Sequence, residues 1–206
     1  MSEKGVLLVV SGFSGAGKGT IVKEVLSERD DVSLSISMTT RSPREGEVNG
    51  REYFFVTKEE FEKAIEDGEL LEHAQYVNNY YGTPKSYVLD ELNKGRNVLL
   101  EIETQGALQV KERFPEAVLV FVTTPDVETL AKRLKGRGTE TDEVIKNRLD
   151  KAKLEVDVMQ KYNFILVNDD LDKCVKELYT LIEASLHAPA CNESLLESIK
   201  EGFKTI

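Results

Sequence analysis

The chain has 206 residues, with 27 lysines and arginines against 37 aspartates and glutamates, and its formal net charge is −10. That length suits one α/β domain with sizeable insertions. The negative balance argues against a nucleic-acid backbone as the main partner, because such proteins need a positive surface. A few clustered arginines can still form a local positive site inside an acidic protein.

Cellular location is indicated by two further features. Cys174 and Cys191 are the only two cysteines, so neither a disulfide framework nor a protein metal site is expected. The apolar run at residues 5–10 is too short to cross a bilayer, and it does not resemble a signal peptide. We therefore expect a cytoplasmic protein without a membrane partner.

The first motif lies between a predicted buried strand at 6–10 and a helical pattern at 20–27. Residues 12–20 nearly match the P-loop, whose glycines turn backbone N–H groups toward phosphate oxygens and whose following helix adds its positive end. The match fails at Gly19, where Ser or Thr normally follows the lysine, and Thr20 comes one step later. The residues expected to bind a nucleoside triphosphate here are Gly12, Phe13, Ser14, Gly15, Ala16, Gly17, Lys18, Gly19 and Thr20.

Residues 33–82 are short, mixed and turn-rich, with one helix predicted at 58–67, and we interpret this segment as an insertion in the core. Arg41 and Arg44 lie three residues apart around a proline turn. That spacing lets two guanidinium groups share one phosphate, and nearby tyrosine hydroxyls can add donors.

The rest of the chain alternates strands with helices. Buried strands are predicted at 97–102, 117–122 and 164–167, and helices at 85–94, 127–134 and 142–161. An irregular stretch at 136–141 precedes the last helix, where Thr139 or Thr141 can provide the cap. This alternation predicts an α/β fold with a central parallel sheet covered by helices on both faces, in three layers.

Several motifs together closely resemble the guanylate kinases. They are the P-loop, Thr-Thr-Arg-Ser-Pro-Arg-Glu-Gly-Glu at 39–47, Tyr-Tyr-Gly-Thr at 80–83, Arg-Gly-Thr-Glu-Thr at 137–141 and Val-Asn-Asp-Asp at 167–170, in that family's order. The resemblance covers about residues 6–184. It implies ATP-dependent phosphorylation of GMP and dGMP, with ATP and Mg²⁺ required.

The family architecture implies one domain, 1–206, with three working parts. These are a P-loop core (about 1–36, 84–135 and 149–184), a GMP-binding α+β insertion (about 37–83) and a small helical lid (about 136–148). Residues 185–206 form a tail beyond the resemblance.

Carried over by position, the family's site residues fall into four groups. The ligands of the GMP phosphate are expected to be Arg41, Arg44, Tyr53 and Tyr81, and the guanine readers Ser37, Glu72 and Thr83. The catalytic charges are expected to be Lys18, Arg44, Arg137 and Arg148, with Arg133 nearby, and Asn168 matches a position near the adenine of ATP.

The chemistry of guanine independently favours Glu72 as its reader. Guanine presents N1–H and a 2-amino group side by side, and one carboxylate can accept both. Adenine has an acceptor at N1, so a polar site built for guanine can reject adenine by about 10⁴.

The role of Glu103 stays open. Glu101 and Glu103 are expected to alternate on one strand, so that both side chains point to one face. The family normally has Asp at position 103. We place Glu103 among the substrate-binding residues, in contact with guanine, the magnesium waters or both; the alternative is that one of the two glutamates is a buried paired acid.

Two other functions are also compatible with the pattern. One is a non-catalytic guanylate-kinase-like binding module, a class that typically loses the phosphate loop and sits beside other interaction domains. Here the loop is intact, and 206 residues leave no room for such a partner domain. The other is a P-loop kinase for a different small acceptor.

The tail is the least informative segment. Ser194 to Glu197 fits a capping box, and Leu195, Ile199 and Phe203 form one stripe of a short helix. This helix can dock on the core or on a second subunit, or fray, so both a monomer and a homodimer are compatible with the sequence.

Overall fold

The computed structural model describes residues 4–76, 78–136 and 141–204. Its strands, in chain order, are β1 (Leu7–Gly12), β2 (Val32–Leu34), β3 (Met38–Thr39), β4 (Phe54–Phe55), β5 (Leu70–Tyr76), β6 (Asn79–Pro84), β7 (Asn97–Glu101), β8 (Val118–Thr123) and β9 (Phe164–Val167). Its α-helices are α1 (Lys18–Glu28), α2 (Lys58–Glu66), α3 (Lys85–Asn93), α4 (Thr104–Arg113), α5 (Val127–Lys135), α6 (Asp142–Glu155), α7 (Leu171–Ser185) and α8 (Glu193–Lys204).

The central sheet has five parallel strands in the order β2-β7-β1-β8-β9. Successive side chains of a strand point to opposite faces, and β1 is apolar on both. Leu8 and Val10 pack in a cluster with residues of α1, α5 and α7, whereas Leu7 and Val9 pack in a second cluster with residues of α3 and α4. The predicted three-layer α/β fold is therefore confirmed.

A second, four-stranded sheet lies in the segment interpreted as an insertion. Its order is β4-β3-β6-β5, with β3 parallel to β4 and antiparallel to β6, and with β5 antiparallel to β6. Helix α2 covers it through the fully buried Phe61, which stacks on Tyr80 at 5.3 Å between ring centroids. This sheet places polar side chains of β5 and β6 beside the core helix α4.

Sequence reasoning found four of the five core strands, all but β2, and most helices to within two residues, but two of its boundaries in the core are wrong. Strand β7 ends at Glu101, and Glu103 occupies the N-cap position of α4 without a capping side-chain hydrogen bond, so the two glutamates do not alternate on one strand. The helix predicted at 142–161 is an α-helix only as far as Glu155, and Val156–Lys161 forms a 3₁₀ helix.

The tail forms a helix whose start differs from the prediction. Because Leu196 N–H already donates to the Asn192 carbonyl, α8 begins at Glu193, and Ser194 lies inside the helix instead of capping it. The apolar stripe exists and is exposed, with Phe203 at 73%. Within the described residues, no helix has both the length and the apolar character needed to span a membrane.

Candidate active site

The P-loop connects β1 to α1 at the carboxyl end of the central sheet. Gly12, Gly15 and Gly17 all have positive φ, at 134°, 91° and 94°, which other residues rarely adopt. No side chain fits at position 12, because an added Cβ would lie 2.1 Å from the carbonyl oxygen of Val122 on β8. The loop conformation therefore depends on these glycines, of which Gly12 packs against the neighbouring strand.

Lys18 folds back over this loop. Its Nζ donates to the carbonyl oxygens of Gly12 at 2.8 Å and Phe13 at 3.2 Å. Burial lowers the pKa of Lys18, and the negative charges of Glu103 and Glu101 oppose that shift. A desolvated ammonium group held by two carbonyls is well placed to meet a phosphate at the loop.

Two side chains from distant parts of the chain hold the loop from outside. Asn168 is buried, and its Nδ2 donates to the carbonyl oxygen of Ala16 at 2.7 Å. Arg133 Nη1 donates to the same oxygen at 3.4 Å. A Cβ on Gly17 would lie 2.4 Å from Asn168 Nδ2, so this contact also requires a glycine there. Asn168 thus supports the loop itself, and its expected contact with adenine stays a prediction.

Helix α6 brings two cations to the loop region. Arg148 Nη1 donates to Ser14 Oγ at 3.1 Å, and Lys151 Nζ donates to Glu103 Oε2 at 2.5 Å. Thr141 caps this helix by accepting from Val144 N–H, as one of the two alternatives predicted. Arg137, the other expected lid charge, lies outside the described residues.

At the opposite side of the site, three of the expected phosphate ligands come together. The guanidinium of Arg41 lies over the ring of Tyr53, 5.3 Å from its centroid, and the rings of Tyr53 and Tyr81 are 6.1 Å apart. The fourth, Arg44, is an exposed residue that follows Arg41 by three positions outside any helix or strand. Cationic and hydroxyl donors therefore share one surface of the insertion.

Glu47 completes this group, and sequence reasoning gave it no role. Its two carboxylate oxygens each accept from Arg41 at 2.9 Å, and Oε2 also accepts the Arg44 backbone N–H at 2.7 Å. The hydrogen bonds from Arg41 lower the pKa of Glu47, so the pair stays ionic. The available signal was its place within the 39–47 motif, six residues after Arg41.

Two of the expected guanine readers face each other on neighbouring strands. Glu72 on β5 pairs in register with Thr83 on β6, and Ser37 directly precedes Met38 of β3, which pairs with Gly82 of β6. Thr83 Oγ1 donates to Glu72 Oε1 at 2.8 Å. Glu72 is only 6% exposed, and this burial raises its pKa. A buried carboxylate with a second oxygen unused by Thr83 can accept hydrogen bonds from a ligand.

A further carboxylate that sequence reasoning missed is Glu155, at the end of α6. It is buried, and its Oε1 accepts from Thr104 Oγ1 at 3.0 Å. Burial raises its pKa, opposed by the Thr104 hydrogen bond and by Lys151. This contact ties α6 to the start of α4, and no local motif marks it in the sequence.

The parallel sheet and the glycine loop with its folded-back lysine define a P-loop protein, and a separate polar cluster lies on the second sheet. A family model described as guanylate kinase matches residues 4–185. The chain belongs to the guanylate kinase family.

Similar proteins support this assignment. A guanylate kinase of Oceanobacillus iheyensis is 52% identical over 184 residues, covering 89% of each chain. One from Streptococcus thermophilus is 50% identical over 185 residues, covering 89% of this chain and 88% of its own. The crystal structure of guanylate kinase from Anaplasma phagocytophilum matches with a TM-score of 0.72 and 30% identity, over 98% of this chain and 97% of that one.

Proposed function

We propose that this protein transfers the γ-phosphoryl group of ATP to GMP or dGMP, giving ADP and GDP or dGDP. The observation that carries the proposal is the buried Glu72 carboxylate, held by Thr83 on an inserted sheet outside the P-loop. One oxygen accepts from Thr83, and the remaining lone pairs can accept guanine N1–H and the 2-amino group. The family membership supports the same reaction.

The acceptor phosphate would lie at Arg41, Arg44, Tyr53 and Tyr81. Arg41 is already oriented by Glu47 and by the ring of Tyr53, which favours a fixed guanidinium plane. An arginine fork matches phosphate oxygens in a bidentate manner. The acceptor would then present an anionic phosphate oxygen that needs no general base.

In the transfer, that oxygen forms a bond to the γ-phosphorus as the bond to the ADP oxygen breaks. Such reactions depend on positioning and charge stabilisation more than on covalent chemistry. Lys18 lies at the loop that would hold the ATP phosphates, and Arg148 approaches the same loop at Ser14. Arg137 is proposed as the second lid charge. Closure of the lid would also exclude water.

The residues around Gly19 fit a magnesium ion bound with ATP. Glu101 Oε1 lies 3.4 Å from the position of a Cβ on Gly19, and the Thr20 hydroxyl follows on the exposed side of α1. Carboxylate and hydroxyl oxygens suit Mg²⁺, which when bound with ATP neutralises phosphate charge. We propose that Glu101 and Thr20 orient the metal or its waters. We propose that Glu103, which pairs with Lys151, also lies at the magnesium-binding end of the site.

Thr20→Val should raise the Mg²⁺ concentration needed for half-maximal rate, because it removes the hydroxyl and keeps the branched shape. Titrating Mg²⁺ in a turnover assay, and measuring ATP affinity with and without Mg²⁺, checks this expectation. Unchanged magnesium dependence and rate would assign Thr20 to helix structure alone.

Among the monophosphates, GMP and dGMP should be phosphorylated, and AMP, CMP and UMP should be nearly inert. ADP release measured across this panel with ATP and Mg²⁺ tests the proposed function directly. Glu72→Gln should lower kcat/KM for GMP by a factor on the order of 10², because the amide cannot accept both guanine donors with a full charge. Comparable turnover of AMP by the unchanged chain would contradict the guanine assignment.

Three finer points complete the proposal. The division into a core, an insertion at 37–83 and a lid at 136–148 is supported by the separate sheet formed by β3 to β6.

ATP and GMP as substrates and two free cysteines favour a cytoplasmic location. The protein is either a monomer or a homodimer, which sedimentation analysis would decide.

A further inference from the structure

Helix α4, which belongs to the core, makes three contacts with the strand that carries Glu72. Gly106, Gln109 and Arg113 follow at helical spacing of three and four, so they lie on one face of α4. Each of the three lies against a different residue of β5. We call these three residues the α4 platform.

The first of these contacts joins Gln109 to the residue after Glu72. The His73 backbone N–H donates to Gln109 Oε1, and Gln109 Nε2 donates to the His73 carbonyl oxygen, both at 3.2 Å. The side-chain amide thus satisfies both backbone groups of one residue, as a neighbouring strand would. Arg113 Nη1 adds a bond to the Leu70 carbonyl oxygen at 3.1 Å. The backbone of β5 is therefore fixed to α4 on both sides of Glu72.

Gly106 sets the distance between the helix and the carboxylate itself. A Cβ built on Gly106 would lie 2.9 Å from Glu72 Oε2 and 3.3 Å from Ile102 Cδ1. Glycine is among the poorest helix formers, yet it occupies a buried position within α4. Glu72 Oε2 is the oxygen that Thr83 does not occupy, since Thr83 donates to Oε1.

We propose that the α4 platform is a specificity-determining surface that places the Glu72 carboxylate for recognition of the guanine 2-amino group. Gln109 and Arg113 are positioning residues that fix the backbone, and Gly106 leaves the space that Oε2 occupies. The inference rests on the proposed function, because it takes Glu72 as the guanine reader. It adds that the core, and not the inserted sheet alone, determines which base is accepted.

The test compares GMP with IMP, whose base keeps N1–H and lacks the 2-amino group. In Gly106→Ala the new Cβ displaces Oε2, so the ratio of kcat/KM for GMP to that for IMP should fall about tenfold, the effect of one weakened charged hydrogen bond. The KM for ATP should not change. Gly202→Ala is the matched control, because it is also a helical glycine and its added Cβ would meet nothing within 4 Å.

Gln109→Met is the second variant, since it keeps the length of the side chain and removes both bonds to His73. It should lower the same ratio while the KM for ATP stays constant, with thermal unfolding recorded for every variant. A purely structural role would lower activity with GMP and IMP by the same factor, and that result would overturn the proposal. An unchanged ratio of kcat/KM for GMP to that for IMP in Gly106→Ala would also overturn the proposal. If the unchanged chain does not prefer GMP to IMP but still rejects AMP, Glu72 does not recognise the 2-amino group, and the platform proposal is overturned while the proposed function stands.

Discussion

Lys18→Met should lower kcat by about 10³-fold, equivalent to about 4 kcal/mol of transition-state stabilisation. The ammonium group is the only part of the side chain that can meet phosphate charge, and methionine keeps the apolar stem. Because burial already lowers the pKa of Lys18, replacing it with a neutral side chain should leave the fold intact. Initial rates at saturating ATP and GMP, together with thermal unfolding, measure both effects.

Lys23→Met is the matched control for this change. Lys23 is an exposed residue on the same helix, one turn beyond the loop. Its replacement should leave kcat within a factor of about two. Near-normal turnover of Lys18→Met would mean that the phosphate loop has been misinterpreted.

Arg148→Ala should also lower kcat by a factor on the order of 10³, as for other arginines placed at a transferring phosphoryl group. The affinity for GMP should change far less, because an interaction formed only in the transition state leaves ground-state binding unaltered. The present contact of Arg148 with Ser14 Oγ puts its guanidinium at the phosphate loop. Steady-state kinetics combined with equilibrium binding of GMP separates the two quantities.

Lys146→Ala on the same helix is the control, since Lys146 is exposed and has no proposed role. A normal kcat with only weakened GMP binding in Arg148→Ala would place this residue in the acceptor site. The proposed action of the lid on the transferring group would then be wrong.

The core of the fold could be predicted because its signals are local. A strand buried on both faces, such as β1, is a continuous apolar run, and α1 follows it directly with Ile21, Val22 and Val25 buried. Helix α4 was missed because it starts two residues after a strand and contains Gly106, which weakens the helical pattern. Helix α7 was missed although Asp170 provides a cap and apolar residues recur at helical spacing, so that signal was available.

Residues of the candidate site could be named where they fall in motifs of the family that the sequence resembles. The P-loop and the proposed guanine readers Ser37, Glu72 and Thr83 were named in this way, and their roles stay predictions. The support around them could not be predicted, since it depends on contacts far apart in the chain. Asn168 reaches Ala16 across 152 positions, and Glu155 reaches Thr104 across 51.

The pairing of Arg41 with Glu47 changes how the acceptor phosphate would be recognised. A free arginine side chain loses much rotational freedom when it grips an anion, and that loss weakens binding. Here the guanidinium plane is already fixed by two hydrogen bonds to Glu47 and by an aromatic ring beneath it. Because arginine has five N–H donors, Arg41 can donate to Glu47 and to a phosphate at the same time. GMP binding would then restrict the Arg41 side chain little further. The affinity for the GMP phosphate would benefit because the folded chain already holds this side chain rigid.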